Sequence, residues 1–479
     1  MNIEQKKVCL IMPNLRWTKG DESTLWHFIP YNLCLLASMV IDICTIEILD
    51  AYIDNLSPQA FQKRIIEINP DVVGVTILMD QFSYSGHFAC KMVKSLNPET
   101  ITIMGGVYAT VNTELAIQDN NIDYIVIGEG EYVFRDLIGY FQGKNPLPLK
   151  GICYKKNNSI LNLGKADFIN DLNQLPLPAY HLIDYERYSN FAERKSVDSP
   201  RFLPYARIQT SRGCPQNCVF CQVHYISGRK FRPRSAENVL NEIKWLKETY
   251  HIKSLIFDDD NLLASRKRAL KLFHGMIEDN LTMAWSSIAT AVFHLDEELL
   301  KIMKKSGCKY ICIAIESGSK RVLKDIIKKP VDYDQAKRIV AFAKKLNIYV
   351  AANFIIGFPT ESWNEIRETI EFAESLSSDY VKIFHAIPLT KTRLWNLCVE
   401  HGLLKKNFDR NKISWHVGQQ ESQEFSSNDL TILRAYEWDR INFTSKEKRT
   451  KTATMMNISE HELFTIRRNT LINAQNNIL

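Results

Sequence analysis

The sequence predicts an α/β protein with three parts: a doubly wound, Rossmann-like N-terminal domain, a partial (β/α)6 TIM-like barrel, and a mainly helical C-terminal region. Three observations predict it. Over residues 1–145, short apolar runs alternate with helical patterns. From residue 204 to residue 390 the same alternation repeats six times. Residues 391–479 read as helical and carry no recognisable motif. At 479 residues, the chain is long enough for two or three domains.

In the first region the expected strands are 8–12, 45–50, 72–76, 100–104 and 124–127. Helices are expected to begin near Pro30, Pro58, Phe82 and Thr113, with a last one from Tyr132. Short apolar strands separated by helices imply a parallel sheet covered on both faces. Right-handed crossovers then give a doubly wound domain that binds ligands at the carboxyl ends of its strands. Those ends carry Gly74-Val-Thr-Ile-Leu78, Gly105-Gly106 and Gly128-Glu-Gly-Glu131, where small residues let backbone approach a large flat or extended ligand. GxGxxG is absent, which argues against a dinucleotide fingerprint. Residues 146–203, with Leu147, Pro148 and the run Leu175-Pro-Leu-Pro178, read as an irregular linker.

In the second region, strands are expected at 205–209, 254–258, 283–288, 310–315, 349–356 and 380–384. Helices fit between them at 236–249, 269–279, 334–346 and 363–375. Barrel active sites lie at the C-terminal ends of the strands.

The loop after the first of these strands reads Arg212-Gly-Cys-Pro-Gln-Asn-Cys-Val-Phe-Cys221 and spaces Cys214, Cys218 and Cys221 as C-x3-C-x2-C. Three thiolates on one short loop suit iron–sulfur chemistry or zinc. A closed zinc site and most iron–sulfur clusters take four ligands. Three leave one metal position open for a substrate or cofactor. Gly213, Pro215, Gln216 and Asn217 mark a turn, whereas inert cysteines prefer apolar core. The other eight cysteines are scattered among mostly apolar neighbours. Cys308 and Cys312 have a pair-like spacing but lie in a run that reads as a buried strand.

Composition is that of a soluble globular protein, 45% hydrophobic and 24% charged. No apolar run reaches the ~20 residues needed to span a bilayer, and the N-terminus shows no secretory h-region. A reduced, cytoplasmic setting is expected. Net charge is +6. Lys446, Lys448, Arg449, Lys451, Arg467 and Arg468 supply much of the excess. The stripe lacks a row of aromatics to stack on, with Phe464 alone inside it, so nucleic-acid binding is not expected.

With these motifs in order, the chain resembles the radical S-adenosylmethionine enzymes that carry an N-terminal cobalamin-binding domain. That family includes methylases, ring-modifying enzymes and the anaerobic magnesium-protoporphyrin ester cyclase. The resemblance rests on the cysteine loop, Phe257-Asp-Asp-Asp-Asn261, residues 307–319 around Glu316-Ser-Gly-Ser319, Asn353-Phe-Ile-Ile-Gly-Phe-Pro359 and Pro388-Leu-Thr-Lys-Thr392. It implies a cobalamin-binding domain over 1–145, a linker over 146–203, a radical barrel over 204–390 and a C-terminal helical region over 391–479.

It also implies site residues. Cys214, Cys218 and Cys221 would hold a [4Fe–4S] cluster whose open iron chelates S-adenosylmethionine. Phe220 would lie by the adenine. Asp259 or Asp260, Glu316 and Asn353 would bind the cofactor's ammonium or ribose hydroxyls. Cobalamin would be bound near Asp50, Tyr52, Thr76, Leu78, Gly105 and Gly106. Relatives that ligate cobalt from below use D-x-H-x-x-G; this chain reads Asp50-Ala-Tyr-Ile-Asp-Asn55, so no histidine lower ligand is expected. Asn32 stands where the family usually has glycine.

The implied reaction is methylation of an unactivated carbon of a small molecule or lipid, through a 5′-deoxyadenosyl radical and methylcobalamin. The electron source would be a flavodoxin- or ferredoxin-like donor. The alternatives are a non-methylating rearrangement, cyclisation or oxidation with the same cofactors, and a cobalamin-binding regulator or carrier without radical catalysis. Modification of an RNA or peptide would need a partner surface, for which only the basic tail speaks. Substrate is expected between the two domains, with His224, Tyr225, Trp285, His385 and Trp395 as candidate lining.

Overall fold

A computed structural model describes residues 5–18, 29–157, 159–190 and 196–476. Residues 1–4, part of the stretch read for a leader, and 191–195 of the expected linker lie outside the described residues. The chain forms two compact units. One comprises Met1–Tyr188 with Tyr225–Ser227 and Asp409–Lys412; the other takes the remainder from Ser189 onward.

The first unit holds a seven-stranded sheet of β1 (Lys7–Met12), β2 (Thr45–Asp50), β3 (Val72–Thr76), β4 (Ile101–Gly105), β5 (Tyr124–Val126), β6 (Ile152–Lys156) and β7 (Ser159–Asn162), in the order β2-β1-β3-β4-β5-β6-β7. The first five strands are parallel. Their apolar residues serve both faces: Val8 and Leu10 enter one core, Cys9 and Ile11 the other. That explains why these strands read as continuous apolar runs. The strand order reverses at β1/β3, the switch point at which doubly wound sheets open a crevice. Thr76 and Gly105 face each other in register at the carboxyl ends of β3 and β4.

The sheet continues where an irregular linker is expected. β6 pairs antiparallel with β5, and β7 with β6. β7 is exposed along its whole length, so it carries no apolar signal.

The second unit is built on six parallel strands in sequential order: β8 (Tyr205–Ile208), β11 (Ser254–Phe257), β12 (Ala284–Thr290), β13 (Cys308–Glu316), β14 (Tyr349–Ile356) and β15 (Tyr380–His385). Two short strands, β9 (Ser211–Arg212) and β10 (Arg232–Pro233), form a separate antiparallel pair. Helices Ala236–Tyr250, Arg266–Glu278, Tyr333–Lys345 and Trp363–Ser375 fill the crossovers. Ser235, Asp332 and Ser362 cap three of them, each accepting a backbone N–H from the first turn.

β15 is an edge strand, and the C-terminal region covers it. In helix Ser427–Phe443, Asn442 accepts from the Val381 N–H (2.8 Å) and donates to the Val381 carbonyl (2.8 Å). Arg434 Nε donates to the Ile383 carbonyl at 3.0 Å. Side chains thus occupy backbone groups that a seventh strand would otherwise pair. Among the described residues no helix is long and apolar enough to cross a membrane.

Candidate functional site

The cysteine loop leaves β8 and is gripped from several sides. β9 and β10 close its two ends, pairing Arg212 with Arg232 and Ser211 with Pro233. Inside, the Cys214 N–H reaches the Gly228 carbonyl (3.2 Å). Val219, buried between the second and third cysteines, donates its N–H to Ile327 (3.3 Å) and accepts from Leu394 (2.9 Å). A loop rich in turn residues is thereby held rigid across the strand ends.

The tail of β11 supplies the remaining grip, residue by residue. Asp258 pairs with Arg207 (2.8 Å). Asp259 Oδ1 accepts from the Thr210 N–H (3.0 Å), the Thr210 hydroxyl (2.8 Å) and the Ser211 hydroxyl (2.5 Å). Asp260 accepts from the Gly213 N–H at 2.9 Å. Asn261 Nδ2 lies 3.7 Å from Cys214 Sγ. Four consecutive side chains therefore bind the segment 207–214 in matching order. Burial pushes Asp259 up to about 6, partly offset by Arg268 and by the hydroxyls it accepts from. Asp259 and Asp260, expected at the cofactor, are here engaged with the loop's own backbone and hydroxyls.

The three cysteines are half-buried. Burial pushes the Cys218 thiol up to about 11, against the pull of Lys329, and Cys221 up to about 12. Ligation must therefore displace protons from these sulfurs. Among the described residues no group of three or more His, Cys, Asp or Glu is close enough to enclose a single ion. A cubane asks for something else, since each thiolate takes a different corner. The donor set fits such a cluster: three thiols and no fourth on the loop, an amide N–H at Cys214, and a buried ammonium acting on Cys218.

That ammonium is Lys329, which sequence reasoning missed. It pairs with Glu316 Oε1 at 2.6 Å, and both side chains are more than nine-tenths buried. Burial opposes its charge, but Glu316 and then Cys218 outweigh it and hold its pKa above the ordinary lysine value. Glu316 ends β13 with φ 76°, a left-handed conformation strained for a side chain that is not glycine. Asn353, on β14, accepts from Cys312 Sγ at 3.0 Å, so the cysteine read as core touches a predicted site residue. Phe220 packs on Phe358, ring centres 6.1 Å apart.

The aromatic candidates for a pocket separate. Trp285 is fully buried, stacked on Phe273 at 5.0 Å with its indole N–H on Ser306 (3.0 Å), so it is core and not lining. His385 is buried and approaches the His416 carbonyl at 3.3 Å. His224 contacts the Gln216 carbonyl of the cysteine loop. Trp395 packs on Phe408 (5.7 Å), and the Tyr225 ring lies 4.8 Å from Lys165 Nζ.

In the first unit, Asp50 ends β2 and is buried. It accepts from the N–H groups of Tyr52 (2.9 Å) and Ile53 (3.0 Å) and from the Tyr188 hydroxyl (2.7 Å). Burial raises its pKa above the ordinary carboxylate range. Tyr52 is buried, with the Arg16 guanidinium 4.6 Å from its ring centre. Gly106 has φ +89°, and a Cβ there would stand 2.6 Å from the Ile77 carbonyl oxygen. A Cβ on Gly105 would meet nothing within 4 Å. Leu78, 37% exposed, presents an apolar side chain just beyond β3. An open glycine and an exposed apolar residue at adjoining strand ends fit a broad, partly apolar ligand such as a cobalamin.

Comparison with known proteins agrees with both halves. Residues 208–373 match the radical SAM superfamily, and residues 26–138 match the B12 binding domain. An uncharacterized methyltransferase of Pyrococcus horikoshii is 32% identical over 377 residues, covering 78% of this chain and 79% of the relative. Cytidylyl-2-hydroxyethylphosphonate methyltransferase of Streptomyces wedmorensis is 30% identical over 384 residues, covering 73% and 70%. The anaerobic magnesium-protoporphyrin IX monomethyl ester cyclase of Rubrivivax gelatinosus is 27% identical over 339 residues, covering 69% and 59%. Among solved structures, the cobalamin-dependent S-adenosylmethionine radical enzyme OxsB with aqua-cobalamin superposes with TM-score 0.72 at 16% identity, covering 98% of this chain and 72% of that one. The methyltransferase TsrM of Kitasatospora setae gives 0.68 at 16%, covering 93% and 82%. From its cysteine loop, its two sheets and these relatives, the chain belongs to the cobalamin-dependent radical S-adenosylmethionine enzymes.

Proposed function

We propose that this enzyme is a methyltransferase acting on an unactivated carbon of a small molecule or lipid. The observation that carries the reading is that one chain combines a rigidly held three-cysteine loop with an open glycine strand end in a doubly wound domain. Methyltransferase relatives at 30% and 32% identity support it. When bound, the cluster and S-adenosylmethionine supply a hydrogen-abstracting radical, and cobalamin supplies the methyl group.

The chain's own residues have distinct tasks. Cys214, Cys218 and Cys221 would hold the cluster. Glu316 and Lys329 offer opposite charges to the zwitterionic end of S-adenosylmethionine, Asn353 an amide to its polar groups, and Phe220 backbone hydrogen bonds, more than ring stacking, to its adenine. Asp259 and Asp260 position the loop. Asp50, Thr76, Leu78, Gly105 and Gly106 would border cobalamin, with residues 1–145 assigned to that task and 204–390 to the radical chemistry. Tyr52 replaces the histidine of cobalt-ligating relatives, and a neutral phenol is a poor cobalt ligand, so cobalamin would be held without a histidine from below. A flavodoxin- or ferredoxin-like donor would supply electrons in a reducing cytoplasm.

The test is anaerobic incubation of reconstituted enzyme with candidate substrates and S-adenosylmethionine labelled in its methyl group. Label in the product together with 5′-deoxyadenosine is the expected result. 5′-Deoxyadenosine with an unlabelled, altered product would establish the second reading, a non-methylating reaction, which the likeness to the cyclase supports. No 5′-deoxyadenosine at all would leave a cobalamin carrier.

A further inference from the structure

We propose that Asn261 donates a hydrogen bond to the cluster thiolate of Cys214, is oriented by His294, and thereby raises the reduction potential of the cluster. The inference rests on the cluster reading above and adds a residue to which no role has been given.

Asn261 follows directly on the three aspartates that grip the loop, and its side chain is the one that reaches a cysteine sulfur. Nδ2 lies 3.7 Å from Cys214 Sγ, within hydrogen-bonding range for sulfur, and 3.4 Å from His294 Nε2. An amide nitrogen carries two hydrogens, one for each acceptor. Burial lowers the His294 pKa and so favours the neutral imidazole, whose tautomer with the proton on Nδ1 accepts at Nε2. The reverse amide orientation would set a carbonyl oxygen against an anionic sulfur. Asn261 is 3% exposed, so this polar side chain is almost completely desolvated. Its Oδ1 has no hydrogen-bond partner among the described residues. A buried amide with one idle oxygen is costly to keep. An N–H aimed at a ligand sulfur gives the cost a purpose.

The physical effect has a definite sign. Reduction adds an electron whose charge spreads onto the sulfurs. A fixed donor at one sulfur stabilises the reduced cluster more than the oxidised one and raises the potential. Asn261 is thus a positioning and tuning residue, acting through Cys214.

The decisive measurement is the midpoint of the [4Fe–4S] 2+/1+ couple, followed by EPR in reconstituted protein without S-adenosylmethionine. Asn261→Leu, similar in size but without a donor, is expected to reduce less readily by about tenfold in the equilibrium constant, about 59 mV for a one-electron couple. Asn261→Gln restores part of the shift, and His294→Ala moves the midpoint in the same direction as Leu but less far. A Leu variant with full iron and sulfide content and an unmoved midpoint overturns the proposal while leaving the cluster reading intact. Wild-type protein that takes up no cluster overturns both. For the case in which Asn261→Leu fails to load, pulsed EPR of reduced wild-type protein with 15N in asparagine side chains decides. A 15N coupling that persists in Asn217→Gln and Asn353→Gln supports the bond, and its absence refutes it.

Discussion

Replacing Asp259 by alanine tests whether the tail of β11 holds the cysteine loop or serves the cofactor. Oδ1 accepts three hydrogen bonds from Thr210 and Ser211. Thr210 and Ser211 are fully buried, so water does not readily replace the carboxylate. A buried donor left unpaired costs about 1–3 kcal/mol. The two hydroxyls can rotate towards other acceptors, whereas the Thr210 amide cannot. Adding about 1 kcal/mol net for each of the two hydroxyl bonds lost brings Asp259→Ala to about 3–5 kcal/mol. At roughly 2–4 °C per kcal/mol for a domain of this size, the thermal midpoint should fall by roughly 6–20 °C. Anaerobic reconstitution should recover much less iron per chain. Asp259→Asn keeps an acceptor oxygen and should lose only about 1–2 kcal/mol. The two variants are compared by circular dichroism melting, iron and sulfide content, and S-adenosylmethionine affinity. A fully loaded Asp259→Asn protein whose affinity drops more than about tenfold, about 1.4 kcal/mol, would refute the positioning role and return Asp259 to the cofactor.

Three further outcomes are expected. Lys329→Met leaves the Glu316 carboxylate buried and unpaired, which costs about 3–5 kcal/mol; adding Glu316→Gln should recover most of it in urea denaturation, though not S-adenosylmethionine binding. Gly106→Ala forces a left-handed residue against the Ile77 carbonyl, at about 1–2 kcal/mol or more, and cobalamin retention after gel filtration should fall while cluster content stays. Glu361 is fully buried, and burial pushes it up to about 8 from 4.5, opposed by the Phe358 and Gly357 N–H groups it accepts. Its folded pKa lies above the unfolded one, so its stabilising effect is complete below pH 4.5 and is lost as pH rises through 8, on the order of 5 kcal/mol in all. Glu361→Gln should match wild type near pH 5 and melt higher at pH 8, and identical pH profiles would sink that assignment.

The parallel strands of both sheets were legible because burial on two faces leaves continuous apolar runs. Ile152–Lys156 and Ser159–Asn162 were not, since the first buries only its opening residues, Ile152 and Cys153, and the second is exposed throughout, so neither shows a sustained apolar run or alternation. The cysteines were legible because their chemistry lies in local spacing. The roles of Asp259 and Asp260 were not, because a carboxylate's partners depend on which amides the neighbouring strand brings alongside. Asp50 and Tyr188 lie 138 positions apart, and Glu316 and Lys329 meet only through the turn after β13. Nothing in a linear pattern announces such pairs. Trp285 was ambiguous for a related reason: an aromatic in a strand can face either side, and the fold turned this one towards helix Arg266–Glu278.

The cover that Asn442 and Arg434 place over β15 bears on how this protein can be cut. A fragment ending near residue 400 would keep every cysteine and every barrel strand, yet would bare the Val381 and Ile383 amide edge. Such a fragment would offer its flank to any extended polypeptide, its own copies first. Loss of the tail should therefore register as precipitation during expression well before it registers in chemistry, and trimming the barrel to its catalytic minimum is the wrong economy for this enzyme.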